Sequence, residues 1–405
     1  MQTLFWIGFL FLAGYGAGVL SERFRFPKVT GYLLTGLLLS PSVSGVLPAA
    51  FMHESAGIVH FSLTVIAFMI GGSLKLEKVR KLEKSIVTIM VGEAELAFLF
   101  VAAGLALLLP YVLPPSAAGE SVPVMTALFL GAISAATAPA AVLAVIHQFR
   151  ARGPLTLTLL GVVATDDAMA LINFSLVLGS ASLLMGLSEA TLLFTLVDPF
   201  VSIGASIASG IAAGWLQGRH LRYVGSESGL VISSVGVLFL LYGSMEYFGW
   251  DGLLAVMVYG MTLVNTSTRS DVLFMTIRHH FEEMIFVLFF LISGATMELE
   301  VMADVWPVAL AYVGLRLIGK MAGSRVGARL SGAPEHVRRY IGPALMPQAG
   351  VAIGLALILY HHAEFGGIGV IVLNTIIAAT VVNELLGPLL LKRMLVKSGE
   401  AEEAI

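Results

Sequence analysis

The sequence contains no cysteine and few charged residues, and both absences limit what the protein can be. Without cysteine among its 405 residues, the chain has neither disulfides nor thiolate chemistry. Charged residues make up only 12% of the chain, hydrophobic residues make up 58%, and the mean hydropathy is +0.92. These values lie outside the range of soluble globular proteins and indicate a polytopic membrane protein.

Hydropathy predicts thirteen membrane spans, so the expected fold is an all-α polytopic membrane protein of about 13 transmembrane helices. The first span lacks a basic segment before it and a clear cleavage site, so we expect it to be retained and not removed as a signal peptide. The predicted spans are residues 3–20, 29–47, 55–74, 85–110, 122–147, 155–184, 191–216, 228–248, 251–266, 281–297, 304–328, 341–361 and 366–391.

The basic residues predict the orientation of these spans. Every lysine and arginine except Arg316 and Lys320 falls in alternate loops, which predicts an N-out, C-in topology by the positive-inside rule. The two exceptions lie in the eleventh span, 12 and 16 residues after Asp304, on one helix face because they are four residues apart. We expect them to form ion pairs, although Lys320 is near enough to the cytoplasmic end to snorkel.

Two adjacent carboxylates lie in the apolar run of residues 155–186. Asp166 and Asp167 are about a dozen residues from either end, which places them near the membrane midplane. Each ionisable group there costs at least ~2.5–3.5 kcal/mol, so the pair predicts a functional site. A helix-capping role is disfavoured because Pro154 and Thr156 already supply a helix start upstream. One aspartate is expected to pair with Lys320, and the other to face an ion pathway.

Prolines interrupt two spans, the fifth at Thr137-Ala138-Pro139 and the twelfth at Pro347-Gln348-Ala349-Gly350. Spans one to six and spans eight to thirteen form two halves, and the interrupted span is the fifth of each half. The halves would then be inverted repeats joined by span seven. Simple kinks are the alternative. Freed carbonyls and the oxygens of Thr137 or Gln348 suit a monovalent cation, and a nearby carboxylate can hold either that cation or a proton. Such competition is sufficient for ion exchange.

These features together resemble the cation:proton antiporter superfamily, and specifically its second branch of bacterial Na⁺/H⁺ antiporters with a double aspartate and potassium-efflux proteins. The resemblance covers the whole membrane part. The motifs that carry it are Ala164-Thr165-Asp166-Asp167-Ala168, Thr137-Ala138-Pro139, Lys320, Met346-Pro347-Gln348-Ala349-Gly350, Gly31-Tyr32-Leu33-Leu34-Thr35-Gly36 and Phe289-Phe290-Leu291-Ile292-Ser293-Gly294.

The resemblance implies a role for each residue of the predicted site. Asp167 would bind Na⁺ or a proton, with Thr137 and Thr165 beside it, and Asp166 would pair with Lys320. It also implies a homodimer, elevator-type alternating access and electrogenic exchange of Na⁺ or Li⁺ for H⁺. Potassium-efflux members tend to have an amide at position 166, so an electroneutral K⁺/H⁺ antiporter or K⁺ efflux protein is the alternative.

The same resemblance divides the chain into segments. We expect dimerisation or scaffold helices in residues 1–84 and 218–298, a linker helix in 187–217, and a short cytoplasmic tail in 393–405. The ion-translocation core would comprise residues 85–186 and 299–392. No nucleotide-binding regulatory domain is expected after Lys397, nor any cofactor besides the transported ions.

Other charged groups allow two interpretations each. Glu93 and Glu95 in span four are expected to pair with Arg316, or else to handle protons directly. A second set near the cytoplasmic end of span ten would form interfacial charge pairs or a pH-sensing cluster, since histidine titrates near neutrality. Its members are His279, His280, Glu282 and Glu283.

We therefore expect a secondary transporter of the inner (plasma) membrane, in contact with lipid, small cations and protons, and no nucleic acid. A proton-coupled organic-anion carrier is a weaker alternative, because it would not need an acidic pair. An intramembrane aspartyl protease is disfavoured, since its carboxyls must converge from two helices whereas Asp166 and Asp167 are neighbours on one.

Overall fold

The computed structural model describes residues 2–112, 122–184, 189–297, 299–361 and 365–401. Throughout this part the regular structure is helical and contains no strand, which confirms the all-α prediction. The helices are α1 (Gln2–Arg23), α2 (Lys28–Leu39), α3 (Ala49–Glu54), α4 (Ala56–Ser73), α5 (Leu76–Val79), α6 (Glu83–Val112), α7 (Val122–Ile133), α8 (Pro139–Gln148), α9 (Pro154–Leu184), α10 (Glu189–His220), α11 (Glu227–Tyr247), α12 (Gly252–Thr266), α13 (Ser270–His280), α14 (Glu282–Ala295), α15 (Leu299–Leu330), α16 (Glu335–Ala344), α17 (Gly350–His361) and α18 (Gly366–Lys397).

Within the described residues, eight helical segments are long and apolar enough to cross a membrane. The other five predicted spans overlap shorter helices. Spans two, nine and ten overlap α2, α12 and α14, and the two interrupted spans overlap the pairs α7–α8 and α16–α17. The chain is therefore a multi-pass membrane protein, while the number of spans and their orientation stay predictions.

The chain folds into two compact units. Unit 1 comprises Met1–Lys81 and Phe200–Thr296, and unit 2 comprises Leu82–Pro199 and Met297–Ile405. Helix α10 begins in unit 2 and continues in unit 1. The predicted segment boundaries at residues 186 and 298 lie outside the described residues, and the roles assigned to the segments stay predictions.

Unit 1 is held together by helices whose backbones approach closely. A Cβ on Gly71 of α4 would lie 1.9 Å from the carbonyl of Met257 in α12, and one on Gly260 would lie 2.3 Å from the carbonyl of Phe68. Only glycine permits this approach, which is the usual way for membrane helices to pack tightly. The ring of Phe68 stacks on Tyr259 of α12, with centroids 4.9 Å apart.

Unit 2 is organised around the crossing of α6 and α15. A Cβ on Gly323 would lie 2.0 Å from the carbonyl of Gly92, and one on Gly327 would lie 2.1 Å from the carbonyl of Thr88. The hydroxyl of Thr88 donates across the crossing to the carbonyl of Gly327 at 3.0 Å. Because the backbones are this close, Glu93, which follows Gly92, meets Lys320, which lies one turn before Gly323.

An apolar cluster packs α9 against α7 and against the residue that precedes α18. Phe174 of α9 lies 5.7 Å, centroid to centroid, from Phe129 of α7, which in turn lies 5.4 Å from Phe365 before α18. These rings are almost fully buried. Since Phe174 is two turns beyond the aspartate pair on the same helix, this packing fixes one half of the helix that carries the pair.

Candidate ion-binding site

Two non-helical stretches lie side by side in unit 2, at residues 134–138 and 345–349. The amide N–H of Ala138 donates to the carbonyl of Pro347 at 2.9 Å, which joins the two stretches directly. Pro139 stands at the first position of α8, where its missing N–H removes no helical hydrogen bond. The carbonyls at the ends of the preceding helices need other donors, because no helical turn follows to supply them.

Arg316 supplies those donors. Its guanidinium donates to the carbonyl of Ser134 at 2.9 Å, to Ala136 at 2.7 Å and to Met346 at 2.7 Å, so it serves both stretches at once. The side chain is fully buried. The carbonyl end of a helix carries partial negative charge, so a buried cation there is electrostatically favourable. Arg316 therefore holds the two interruptions together.

The sequence predicted that Arg316 pairs with Glu93 and Glu95, but in the structure its guanidinium donates to main-chain carbonyls instead. The planar fork of a guanidinium suits several carbonyls at fixed angles, whereas an ammonium is a compact charge that suits a carboxylate. Glu93 therefore bonds to Lys320 instead. Glu95 is only half-buried and lies two positions further along α6, about 200° around the helix, so it faces away from that contact.

Lys320 is the centre of a buried polar cluster. Its Nζ donates to Oε2 of Glu93 at 2.5 Å, to the carbonyl of Ala135 at 2.7 Å and to the hydroxyl of Thr137 at 2.9 Å. Oδ2 of Asp166 lies further away, at 3.7 Å. The predicted pairing of Lys320 with Asp166 is thus secondary, because the α6–α15 crossing places Glu93 nearer to the ammonium.

The two aspartates occupy unlike surroundings. Asp166 is fully buried and accepts a hydrogen bond from the hydroxyl of Thr137 at 2.5 Å. Asp167 is half-buried, and its side chain projects about 100° away around α9. The hydroxyl of Thr165 donates to carbonyls one turn earlier in its own helix, at 2.9 and 3.1 Å. Thr137 thus belongs to the Asp166 cluster.

A second polar network surrounds Gln348. Its amide nitrogen donates to the hydroxyl of Tyr312 at 2.9 Å and to the carbonyl of Ile133 at 3.2 Å. Its amide oxygen accepts from Asn383 of α18 at 3.0 Å. Gln348 therefore ties the second interruption to α15, α18 and the end of α7. Gly350, also predicted at this site, is the first residue of α17.

The site predicted from the sequence included neither Tyr312 nor Asn383. Tyr312, Arg316 and Lys320 are spaced four residues apart, so they form one polar stripe along an otherwise apolar span. Extending the basic pair by one further turn towards the amino terminus would have found the tyrosine. All three side chains are fully buried.

The charged groups around the crossing are not balanced. Arg316 and Lys320 provide two positive charges, whereas Glu93, Asp166 and Asp167 provide three negative charges when ionised. With all three carboxylates ionised, these five groups carry one net negative charge, which either a proton or a monovalent cation can neutralise. A site that a proton or a monovalent cation can each neutralise is suited to exchanging one for the other.

The predicted pH-sensing residues lie in unit 1 near the junction of α13 and α14. Nδ1 of His279 and Nδ1 of His280 each lie within hydrogen-bonding distance of a carbonyl one turn earlier in their own helix, at 2.8 and 3.0 Å. Glu282 is buried and lies 3.7 Å from Arg278. These contacts are local to the two helices, and they fit the alternative of interfacial charge pairing.

Glu283 forms a separate ion pair with Lys28 at the start of α2, with an N–O distance of 2.5 Å, and Glu22 lies 3.1 Å from the same ammonium. Burial acts to lower the pKa of Lys28, but the hydrogen bonds and charges of the two glutamates outweigh it and raise the pKa above 10.5. Lys28 therefore stays charged near neutrality and is not itself a sensor of physiological pH.

Comparison with known proteins agrees with this chemistry. A family model described as "Sodium/hydrogen exchanger, transmembrane" matches residues 7–397. The Na⁺/H⁺ antiporter 1 of Methanocaldococcus jannaschii is 25% identical over 67% of this chain and 62% of its own length. The ammonium/H⁺ antiporter subunit AmhT of Alkalihalophilus pseudofirmus is 21% identical over 88% of this chain and 86% of its own.

The fold also matches a solved structure. The sodium proton antiporter MjNhaP1 of Methanocaldococcus jannaschii superposes with a TM-score of 0.75, covers 98% of each chain and is 19% identical in sequence. At that identity the likeness establishes the fold, whereas the family model establishes descent because it spans nearly the whole chain. The protein therefore belongs to the transmembrane sodium/hydrogen exchanger family of cation:proton antiporters.

Proposed function

We propose that this protein exchanges Na⁺ or Li⁺ for protons, and that Asp167 is the carboxylate where cation and proton alternate. The contrast between the two aspartates carries the proposal. Asp166 is fully buried and held by Thr137 beside Lys320, whereas Asp167 is half-buried on the adjacent face of α9. Asp167 is the less buried of the two residues, so an ion can reach it with less loss of hydration than at Asp166, which lies inside its hydrogen-bonded cluster.

The cation would be bound by oxygen atoms near Asp167. Thr165 donates its hydroxyl proton within its own helix, so the lone pairs of its oxygen remain available to a cation. The oxygen of Thr137 already accepts from Lys320 and would contribute only when the ammonium withdraws. Main-chain carbonyl oxygens of the two interruptions would be the remaining ligands of the cation, as in other carriers with discontinuous helices.

Lys320 gives the site a place for a second proton. It lies beside both Glu93 and Asp166, so the three groups can lose or gain one proton together while the cluster stays hydrogen-bonded. We propose that a cation arriving at Asp167 displaces a proton there and a second from this cluster. Exchange would then move more protons than cations and be electrogenic, as in the double-aspartate members of the second branch.

Transport would follow an elevator-type cycle in the inner membrane. All residues of the proposed site belong to unit 2, so this unit would carry the ion, while unit 1 would provide the contact of a homodimer. The two interruptions, in corresponding positions of the proposed repeats, support a site that opens to one side at a time. The site would cross the membrane loaded either with one cation or with the two protons, because the empty, fully ionised site carries an uncompensated negative charge that is costly to move through lipid.

Reconstituted protein tests this function. Proteoliposomes with an entrapped pH dye would receive Na⁺, Li⁺, K⁺ or Rb⁺ gradients over a range of pH, with Asp167→Asn beside the unchanged protein. Glu335→Gln is a matched control, because this carboxylate is 79% exposed on α16. We expect Na⁺ and Li⁺ to drive proton movement in the unchanged protein and the control, and not in Asp167→Asn. Full exchange by Asp167→Asn would refute the assignment, and a response to K⁺ and Rb⁺ alone would favour K⁺/H⁺ exchange.

A further inference from the structure

The amino-terminal end of α9, the helix that carries the aspartate pair, is capped from a distant part of the chain. Oε1 of Glu400 accepts a hydrogen bond from the amide N–H of Leu155, and Oε2 accepts from both the amide N–H and the hydroxyl of Thr156, each at 2.7 Å. The main-chain N–H of Arg152 donates to the carbonyl of Glu400 at 2.8 Å. The Glu400 side chain is only 6% exposed, so this is a buried, fully bonded carboxylate.

The chain beside α9 cannot provide this cap itself. The residue before the helix is Gly153, which has no side chain, and Pro154 follows it. A Cβ on Gly153 would lie 2.3 Å from Cδ of Glu400, so the glycine leaves the space that the carboxylate occupies. A carboxylate at a helix amino terminus satisfies free N–H groups and interacts favourably with the helix dipole. Glu400 performs at a distance what an aspartate or serine usually does locally.

The same carboxylate contacts a third element of unit 2. Nε2 of His336, in α16, lies 3.4 Å from Oε1 of Glu400. Helix α16 leads into the interruption at residues 345–349, and α18, which holds Asn383 of the Gln348 network, ends three residues before Glu400. Glu400 therefore connects α9 with α16 through its carboxylate and with α18 through the chain.

We propose that Glu400 is a positioning residue for ion exchange, because it fixes the base of α9 against α16 and α18. The inference rests on the proposed function of the aspartate pair. Asp166 is twelve residues beyond Pro154, or about 18 Å along the helix. A tilt of about 5° at the base would therefore move the carboxylate by about 1.6 Å. That displacement would break the 2.5 Å bond to Thr137 and move Asp167 away from its ligands.

Kinetics of Na⁺-driven exchange in proteoliposomes test the proposal. We expect Glu400→Ala to raise the apparent KM for Na⁺ about fivefold, with Vmax changed less than twofold. A fivefold change corresponds to about 1 kcal/mol, the free energy typical of a lost helix cap. Glu335→Ala removes an exposed carboxylate next to His336 and should leave both constants unchanged. Gly153→Ala retains every charge, but its Cβ would press on the Glu400 carboxylate and would strain a backbone φ of +159°, so it should also raise KM. Unchanged KM in both Glu400→Ala and Gly153→Ala would overturn the proposal.

A second variant separates positioning from helix capping alone. His336→Ala retains the cap on α9 but removes the contact between the Glu400 carboxylate and α16. We expect it to raise KM while the thermal midpoint of the purified protein changes little; an unchanged KM would show that Glu400 only caps α9. If the unchanged protein shows no exchange, the proposed function fails. If it exchanges ions and Glu400→Ala does so with the same KM, only the role of Glu400 is refuted.

Discussion

The Glu93–Lys320 contact predicts that replacing Glu93 destabilises the protein more than replacing Asp166 does. The Asp166–Lys320 pair predicted from the sequence would imply the opposite order. Glu93→Gln removes the negative charge 2.5 Å from the Lys320 ammonium, and with it most of a charge-assisted contact worth ~1.5–3 kcal/mol, although the amide oxygen can still accept. Lys320 would keep Asp166 at 3.7 Å and the oxygens of Ala135 and Thr137, so the ammonium would not be left without compensation. We therefore expect a loss of about 2 kcal/mol, below the ~3–5 kcal/mol typical of a fully broken buried pair.

Two other variants complete the ranking. Asp166→Asn should cost about 1 kcal/mol or less, because Lys320 retains Glu93 and the amide oxygen can still accept from Thr137. Lys320→Ala should be the most harmful, at ~3–5 kcal/mol, because it leaves two buried carboxylates facing each other. Glu95→Gln, half-buried on the other side of α6, serves as the stability control and should change little.

Thermal midpoints of the four purified variants, measured by intrinsic fluorescence in one detergent at pH 7, test the ranking. The expected order of loss is Lys320→Ala, then Glu93→Gln, then Asp166→Asn, then Glu95→Gln. If Asp166→Asn lowers the midpoint more than Glu93→Gln does, then Asp166 is the main partner of Lys320, and the reasoning from the two distances is refuted.

Three further predictions concern the interruptions and the exchange. Arg316→Lys keeps the charge but loses the fork that serves three carbonyls, so we expect a lower thermal midpoint and little exchange; unchanged stability would contradict the bridging role. Asp166→Asn should retain some exchange with altered coupling, whereas Asp167→Asn should retain none, and equal losses in a dye-based vesicle assay would refute the division of roles. An imposed potential from valinomycin and K⁺ should change the initial exchange rate of the unchanged protein, and a rate that ignores the potential would favour an electroneutral mechanism.

The fold class could be predicted because lipid imposes strong constraints on a sequence. Long apolar runs predict helices, since every backbone polar group in a bilayer must be bonded internally. The prolines at 139 and 347 marked the positions where the helices are interrupted, because proline removes a donor. The contact between Ala138 and Pro347 was not predictable in the same way, since it depends on how two distant helices pack.

The members of the site were easier to predict than their partners. Depth in the membrane follows from counting residues, so Asp166, Arg316 and Lys320 could be assigned to one level. Which carboxylate reaches Lys320 depends on the close approach of α6 and α15 at Gly92 and Gly323, and spacing along one helix contains no such information.

The cap on α9 could not have been found from local sequence. The donors Leu155 and Thr156 are separated from Glu400 by 245 and 244 residues, and helix-start rules consider only the residues next to the helix. In the sequence, Gly153 is an ordinary loop glycine before a proline. Its role as the space for a distant carboxylate is evident only after the chain has folded.

The most direct test of the central claim measures protons released when Na⁺ binds. Purified protein in weakly buffered detergent solution at its optimal pH would receive NaCl, with choline chloride as the ionic-strength control and a pH electrode or dye as the detector. Competition at Asp167 predicts that Na⁺ releases protons from the unchanged protein and none from Asp167→Asn. Equal proton release from both proteins would contradict exchange at this carboxylate.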